Sequence, residues 1–407
     1  MAIGADVGQL LGQLNGQQQM LNQLVEAIPE AACYTSWISA KPPIAWLLGR
    51  AVYVETWWLR ERLQGDDSLT APVAAIFATE RATESAAWQR LPPRDHLLNW
   101  ASQLQEENLT RLANAKLLPE DALLNPKANP LPLLVLILHS YAEIYEAILA
   151  QMSARQQQSG GYQVVQRLTA LPPSDDHGDQ LGGHFRIGAR DDLFARDSEL
   201  PPQMVELSSF RIDKQAVSNG AWLTFMQQGG YEDPTFWSEA GWQWRQRTQI
   251  AMPQEWQQDS RGEWYGVGLN GGFDLIASDA VCGISRYEAE AYARWVATQG
   301  ELWQGAVIQH EFQWEVALRA RVISRYGQVW EWCANPFEPY SGYQPPADPL
   351  AAEDYVADHF PLRGGSLHTQ RILRRLTYRS HASAAERHRF SGVRLVFPPS
   401  DMPWHHQ

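Results

Sequence analysis

The chain has 407 residues, 19% of them charged, and a formal net charge of −13. This length and composition are typical of a soluble globular protein with two or three domains. The acidic balance argues against general nucleic-acid binding, which needs clustered positive charge. Cys33, Cys282 and Cys333 lie far apart, so the sequence predicts neither a disulfide scaffold nor a structural zinc site.

No membrane segment is predicted. The N-terminal segment lacks the basic start and the long apolar run of a signal peptide. The most apolar stretch, 131–138, is too short to span a bilayer. We therefore expect a cytoplasmic protein that does not act at a membrane.

Residues 1–156 carry apolar side chains at helical spacing, interrupted by prolines. The predicted helices are 10–25, which Pro29 follows, 45–63, which comes after Pro42 and Pro43, then 94–115 and 132–155. Pro is well tolerated at the start of a helix, because the first amides there need no intrahelical partner. Four long helices joined by loops predict an antiparallel four-helix bundle.

After residue 156 the pattern changes. Residues 157–164 are polar and contain neighbouring glycines, which predicts a linker. From 165 to 400, Pro, Gly, Trp and short β-prone runs dominate, and two helices are predicted, at 286–298 and around 311–319. We therefore predict a helical domain over 1–156 followed by an irregular α+β domain over 165–400.

An arginine-rich segment lies near the C-terminus. Its eight arginines are Arg363, Arg371, Arg374, Arg375, Arg379, Arg387, Arg389 and Arg394. In an acidic protein such a segment is a candidate for binding small anions or carboxylates. A set of structural ion pairs with the many Asp and Glu residues explains it equally well, and the sequence leaves both interpretations open.

The second half resembles a known domain in six segments that follow that domain's order. They are SSFRIDKQAVSNGAWLTFMQQGGY (208–231), SRYEAEAYARW (285–295), EFQWEVALRAR (311–321), YGQVWEW (326–332), LRGGS (362–366) and TYRSHASAAERHRFSGVRLV (377–396). Together they are similar to the formylglycine-generating-enzyme, or sulfatase-modifying factor, domain. The resemblance implies a C-type-lectin-like fold for this half.

The first half resembles the DinB-like helical domain that precedes this domain in ergothioneine, ovothiol and selenoneine synthases. PPIAWLLGRAVYVETWWLR (42–60) is similar to the second helix of that group, and DPTFWSEAGWQW (233–244) to a stretch of its catalytic domain. The resemblance implies a non-heme iron(II) held by three imidazoles. It also implies that oxygen is used to join a sulfur or selenium donor to the imidazole of hercynine or histidine.

The expected iron ligands are present only in part. The group places one His after "LG" in the second helix and two more in the fourth, as His-x-x-x-His-x-Glu. Here Arg50 stands in the first position, His139 is retained, and Glu143 and Tyr145 replace the second His and the Glu. Arg has no lone pair to offer a metal. We also expect no copper(I) site, because the segment after RGGS contains no Cys.

Two interpretations of this departure stand side by side. Arg50 and Glu143 are opposite in sign and fall on two lost ligand positions, so an ion pair in place of the metal is one hypothesis. In the other, an altered site still binds iron(II) through His139 and Glu143, which share one helix face at i, i+4, with help from Glu146 or Glu55.

The resemblance also predicts where a substrate binds. The group's pocket lies at the loops around GQVWEW and RGGS, which here supply Trp330, Trp332, Phe337, Tyr340, Arg371, Arg374, Arg375, Tyr378 and Arg379. Aromatic walls suit a quaternary ammonium and arginine forks suit a carboxylate, so an amino-acid or betaine ligand is expected. For Trp330 and Trp332, packing in the core is the favoured alternative. Tyr378 is the nearest candidate for a proton-donating tyrosine.

The sequence therefore supports two hypotheses of different class. The first is an oxidoreductase-like enzyme, similar to the ergothioneine or selenoneine synthases, that forms a carbon–sulfur or carbon–selenium bond at a modified iron site. The second is a metal-free relative that retains the fold for binding a small molecule or a protein partner.

Overall fold

The computed structural model describes residues 7–78, 83, 85–114, 131–190, 192–346 and 355–399. These residues fall into two compact units. The first unit holds the described residues up to Arg155, with 192–194 and Pro346. The second unit holds Gln156–Arg190, Ala195–Pro345 and the described residues from Tyr355 onward.

The first unit is helical. Its elements are α1 (Val7–Ala27), α2 (Glu30–Cys33), α3 (Ile44–Thr56), a π-helical continuation (Trp57–Arg62), α4 (Ala71–Phe77), α5 (Ser85–Trp88), α6 (Arg94–Ala113) and α7 (Leu131–Gln156). The four long predicted helices correspond to α1, to α3 with its continuation, to α6 and to α7. Pro43 and Pro93 occupy the N-cap positions of α3 and α6. Both prolines therefore mark where the chain enters a helix.

A polar cluster lies among the long helices. The carboxylate of Glu55 on α3 accepts hydrogen bonds from the Gln18 amide at 3.0 Å and from the Tyr141 hydroxyl at 2.6 Å. Tyr141 also accepts from the Gln105 amide at 3.2 Å. These contacts join α1, α3, α6 and α7. Burial raises the pKa of Glu55 to about 7, although its hydrogen bonds oppose that rise.

Among the described residues, one helix is long and apolar enough to cross a membrane by length and composition, over Leu133–Gln156 of α7. In the fold, 61% of its most apolar window is buried. Leu134, Leu138 and Tyr141 are fully buried inside the first unit. A core helix of this kind passes the same test as a membrane span.

The second unit is rich in short strands. Its strands are β1 (His177–Gln180), β2 (Gly183–Ile187), β3 (Gln203–Leu207), β4 (Phe210–Asp213), β5 (Trp256–Gln258), β6 (Trp264–Gly268), β7 (Gly271–Asp274), β8 (Val307–Ile308), β9 (Trp330–Trp332), β10 (His359–Arg363), β11 (Ser380–Ser383), β12 (Ser391–Gly392) and β13 (Leu395–Phe397). Its longer helices are α8 (Asn219–Gln227), α9 (Glu239–Thr248), α10 (Arg286–Val296) and α11 (Glu311–Arg319).

The strands form four sheets, ordered β1-β4-β13-β8, β11-β10-β9-β12, β2-β3 and β5-β6-β7. In the first sheet Ile212 pairs with Val396. Both side chains pack with Trp314 of α11 in a buried cluster. The segment predicted as a linker packs on the β5-β6-β7 sheet, where the side chains of Tyr162 and Val164 contact Tyr265. The C-type-lectin-like class stays a prediction.

Aromatic side chains fill much of the core between α8 and α10. Trp222 stacks on Tyr292 with ring centroids 5.0 Å apart, and Phe225 lies 5.5 Å from Trp295. Each of these four side chains is at most 1% exposed. At the start of α10 the Ser285 hydroxyl accepts a hydrogen bond from the Glu288 amide, and the Ser285 amide donates to the Glu288 carboxylate. Trp222 and Trp295 therefore serve packing in this region.

Candidate functional site

The residues predicted for the metal site lie on α3 and α7 of the first unit. His139 is 2% exposed, whereas Glu143, one helical turn further on, is exposed. Tyr145 is half-buried, and burial raises its pKa. On α3, the Nη1 of Arg50 donates to the Phe77 carbonyl at 2.7 Å. Its guanidinium also lies 5.7 Å from the centre of the Tyr53 ring.

These residues do not fit an iron held by three imidazoles. In the described part of the chain, no group of three or more His, Cys, Asp or Glu side chains is arranged to hold a metal ion. Arg50 donates to a backbone carbonyl, and a guanidinium cannot act as a ligand. Both oxygens of Glu55, an auxiliary ligand in the altered-site hypothesis, already accept hydrogen bonds from Gln18. The proposed Arg50–Glu143 ion pair stays a prediction.

Among the predicted substrate arginines, Arg379 lies in the core. It is 1% exposed and binds Glu311 through two hydrogen bonds of 2.8 Å. Arg363 completes the cluster, at 3.4 Å from Glu311 and 2.6 Å from Glu315. Burial opposes ionisation of Glu311, but the charges of Arg379 and Arg363 outweigh it and lower the pKa of that carboxyl. These contacts are those of a structural ion-pair network.

The other three predicted arginines differ from one another. Arg375 pairs with both oxygens of the buried Glu199. Arg374 donates to the Gly327 carbonyl at 2.9 Å, and Arg371 is exposed in a short 3-10 turn. The carboxylate and carbonyl contacts of Arg375 and Arg374 lie within the second unit, so each has a structural task whatever else it does.

The predicted aromatic residues are buried. Trp330 and Trp332 are 1% and 0% exposed, and the Trp332 indole donates to the Ile284 carbonyl at 2.9 Å. Tyr378 is 4% exposed and its ring lies 6.0 Å from that of Trp330. Phe337 and Tyr340 cover the Arg379 guanidinium, at 4.6 and 4.2 Å from their ring centres. The structure thus brings these residues together inside the core of the second unit.

A cavity of about 340 Å³ opens next to the loops around GQVWEW and RGGS. Gln328, Val329, Leu367 and His368, from or beside these loops, line it. The other lining residues that carry its chemistry are Asn219, Glu255, Trp256, Phe273, Asp274, Asp279, Cys282 and Phe390. Of the residues predicted for substrate binding, none lines this cavity, and the substrate site at the two loops stays a prediction.

Glu255 is the chemically unusual group of this cavity. Burial raises its pKa to about 7, and a hydrogen bond from the Cys282 thiol opposes that rise. Burial also lowers the pKa of His368, so its ring is neutral at physiological pH. The His368 ring packs on Phe390, with centroids 4.5 Å apart. No local pattern marks Glu255, Cys282 and His368, which lie up to 113 positions apart and meet only in the fold.

Comparison with known proteins now gives this geometry a context. Residues 180–326 match the family described as the sulfatase-modifying factor enzyme 1-like domain. The chain is 29% identical over 256 residues to the hercynine oxygenase of Mycobacterium tuberculosis, a match that covers 52% of this chain and 58% of that protein. The hercynine oxygenase of Mycolicibacterium smegmatis is 27% identical over 267 residues, a match that covers 53% of this chain and 60% of that protein. The chain is therefore similar in sequence to the hercynine oxygenases over about half of its length.

Two further likenesses are more distant. The formylglycine-generating enzyme of Thermomonospora curvata is 29% identical over 151 residues, covering 34% of this chain and 46% of that enzyme. PvdO from Pseudomonas aeruginosa aligns with 57% of this chain and 99% of its own at 15% identity, but its TM-score of 0.39 is too low to support an inference. The sequence matches support a relationship of this chain to the formylglycine-generating-enzyme superfamily.

The chain spans between 56% and 60% of the length of the hercynine oxygenases that it matches. The matched family domain contains Glu255 and Cys282. Arg50, His139 and Glu143 lie outside it.

Proposed function

We propose that this relative of the hercynine oxygenases binds a small amino-acid betaine without an iron held by three imidazoles. The observation that carries the proposal is the contact of Arg50, which stands where an imidazole is expected and donates to the Phe77 carbonyl. A permanently charged group at that position opposes the approach of a metal cation. The relationship to proteins named for hercynine supports the ligand class.

The exposure of the two remaining positions also supports this proposal. His139 is buried at 2% exposure, whereas Glu143 is exposed, so the pair does not lie in one shared environment. A single imidazole with a solvated carboxylate is a weak and oxygen-rich donor set compared with three imidazoles. We therefore expect any iron to bind without the affinity of a dedicated site.

The second candidate is an oxygen-dependent synthase of the ergothioneine or selenoneine type that works at an altered iron site. Two observations favour it. His139 and Glu143 retain the i, i+4 spacing of two ligands on one helix. The sequence relationship is to oxygenases. In this candidate, His139 and Glu143 would hold iron(II), which would supply oxygen activation.

Iron binding separates the two candidates. The protein is purified without oxygen, incubated with iron(II), freed of unbound metal, and its iron content is measured beside His139→Ala. We expect substoichiometric iron that is equal in both proteins, together with hercynine binding in calorimetry. The triple variant Arg50→His, Glu143→His, Tyr145→Glu is the matched control, because it restores the full expected ligand set and should gain iron.

The opposite outcome is equally clear. Stoichiometric iron in the unmodified protein, lost in His139→Ala, with oxygen consumed when hercynine and a thiol are added, overturns the metal-free proposal and establishes the second candidate. Absence of hercynine binding in all variants removes the ligand class instead.

A further inference from the structure

We propose that the cavity of the second unit binds the cationic end of its ligand, a methylated ammonium group, with the Glu255 carboxylate as the counter-charge. This inference deepens the proposed function, on which its choice of ligand rests, by naming the site of recognition. It is argued from the walls, the charge and the opening of the cavity.

The walls of the cavity include three aromatic rings. Trp256 on β5 and Phe390 are buried, at 2% and 4% exposure. Phe273 on β7 is 44% exposed. A ring face attracts a cation by its quadrupole, and the attraction increases when water is excluded. The two buried rings therefore provide a water-excluded aromatic surface, which suits a methylated ammonium group.

The charge of the cavity has one sign. Of the described residues that line it, none is Lys or Arg, while Glu255, Asp274 and Asp279 are acidic. Hydrogen bonds from the Gln166 and Val165 amides lower the pKa of Asp274, so this carboxylate is ionised. His368 adds no positive charge, because its pKa is lowered by burial. The cavity thus favours cations and disfavours free carboxylates or phosphates.

Glu255 differs from Asp274 in what surrounds it. The side chain of Asp274 is occupied by the Tyr162 hydroxyl at 3.1 Å and by the Gln166 amide at 2.7 Å. Glu255 has a thiol as its hydrogen-bonding neighbour, which is a weak donor. A bound cation supplies the strong charge interaction that the Cys282 thiol does not. Glu255 therefore gains more from such a ligand than Asp274 does.

The size and the rim of the cavity match a small amphipathic ligand. A volume of about 340 Å³ lies at the lower end of ligand pockets, which suits a molecule of amino-acid size. Leu367 and Ile276, both lining residues, are 70% and 55% exposed. Large apolar side chains left in water around a cavity are typical of a binding surface. Gln328 adds a neutral amide for the polar part of the ligand.

Calorimetry with two probes tests the site on the full chain. The probes are hercynine and tetramethylammonium, each titrated into the unmodified protein, Glu255→Gln and Glu232→Gln. Glu232 is exposed and outside the cavity, so its variant removes the same charge without touching the site. We expect Glu255→Gln to weaken both probes about tenfold or more, and Glu232→Gln to leave them unchanged.

The pH dependence gives a second measurement on the unmodified protein. Cation binding needs ionised Glu255, so the affinity for tetramethylammonium should rise severalfold from about pH 6 to about pH 8. Cys282, Asp274, Asp279 and His368 are the other titratable groups that line the cavity, and the Glu255→Gln variant retains all four. The rise should therefore be absent in Glu255→Gln.

The outcomes distinguish this site from the proposed function. If hercynine binds equally to all three proteins, the proposed function stands and the cavity is not its site. If tetramethylammonium binds through Glu255 but hercynine does not bind, the cation site stands and the betaine function fails. Absence of binding for both probes overturns both.

Discussion

The two units bury their acidic side chains in different ways. In the helical first unit, Glu55 receives hydrogen bonds from the neutral Gln18 and Tyr141, and burial raises its pKa to about 7. In the second unit, Glu311 is equally buried but faces arginines, and its pKa is lowered. The same side chain therefore titrates in opposite directions according to whether its neighbours carry a charge.

The comparison shows what the arginine-rich segment does. Arg363, Arg375, Arg379 and Arg394 each pair with a buried glutamate of the second unit. A buried carboxylate with a bidentate arginine keeps its charge, because the pair compensates both desolvation costs. Of the two interpretations that the sequence left open, the contacts favour ion pairing for these four residues. In its raised pKa Glu255 resembles Glu55, since the described residues that line its cavity include no arginine.

The largest expected effect is on the ion pairs. Arg394 is fully buried and binds Glu331 at 2.8 and 2.7 Å. Arg394→Met leaves the Glu331 carboxylate buried without its cation, which should lower the free energy of unfolding by about 3–5 kcal/mol. The measurement is urea unfolding followed by tryptophan fluorescence. Arg371→Met, in the same segment but exposed, is the control and should change it by about 0.5 kcal/mol or less.

An Arg394→Met protein as stable as the unmodified chain would show that the ion pairs contribute nothing beyond the space they fill. The contrast between the two units would then rest on pKa values alone.

The next effect concerns the pH dependence of the first unit. The pKa of Glu55 rises from an ordinary 4.5 to about 7 on folding, so between these values the folded chain keeps a proton that the unfolded chain releases. Stability should be highest below about pH 4.5 for this group and should fall as pH rises to about 7, by on the order of 3 kcal/mol in total. Glu55→Gln should remove that fall.

Melting temperatures at about pH 5 and about pH 8 measure this contribution. Glu106→Gln is the control, since Glu106 is an exposed carboxylate of α6 in the same unit. A difference between the two pH values that survives in Glu55→Gln, and equals that of Glu106→Gln, contradicts the assignment.

The parts of the fold that the sequence predicted are those with a strong local signal. α11 was predicted at its observed bounds, and α1, α3, α6 and α7 follow apolar periodicity with proline boundaries. The helices α8 and α9 were missed although they are as long as α11. Each contains a glycine, Gly220 in α8 and Gly241 in α9, which lowers the local helix propensity. Strands of two to five residues are too short to show a clear alternation.

The candidate site was harder to predict, for a physical reason. Arg379 and Glu311 are 68 positions apart, so nothing local shows that they form a pair rather than leave the arginine to a ligand. Glu255, Cys282 and His368 come from separate loops and have no motif spacing. The loops GQVWEW and RGGS were identified by resemblance, but the buried arginines and aromatic side chains in and after them take part in ion pairs and core packing.

The smallest expected effect sharpens the comparison within the helical unit, where Arg50 donates to a backbone carbonyl. That carbonyl belongs to Phe77, whose ring packs on Gly49 so closely that an added Cβ would lie 2.2 Å from it. Gly49→Ala must therefore displace the ring, at a cost of about 1–3 kcal/mol, despite the higher helix propensity of alanine. Gly12→Ala on α1 is the control, because its Cβ meets nothing within 4 Å and should stabilise by about 0.5–1 kcal/mol. Thermal unfolding of both variants measures these changes in stability. Equal increases in melting temperature for Gly49→Ala and Gly12→Ala would mean that the Phe77 ring moves at no cost, and that the position of the carbonyl that binds Arg50 is not fixed by this packing.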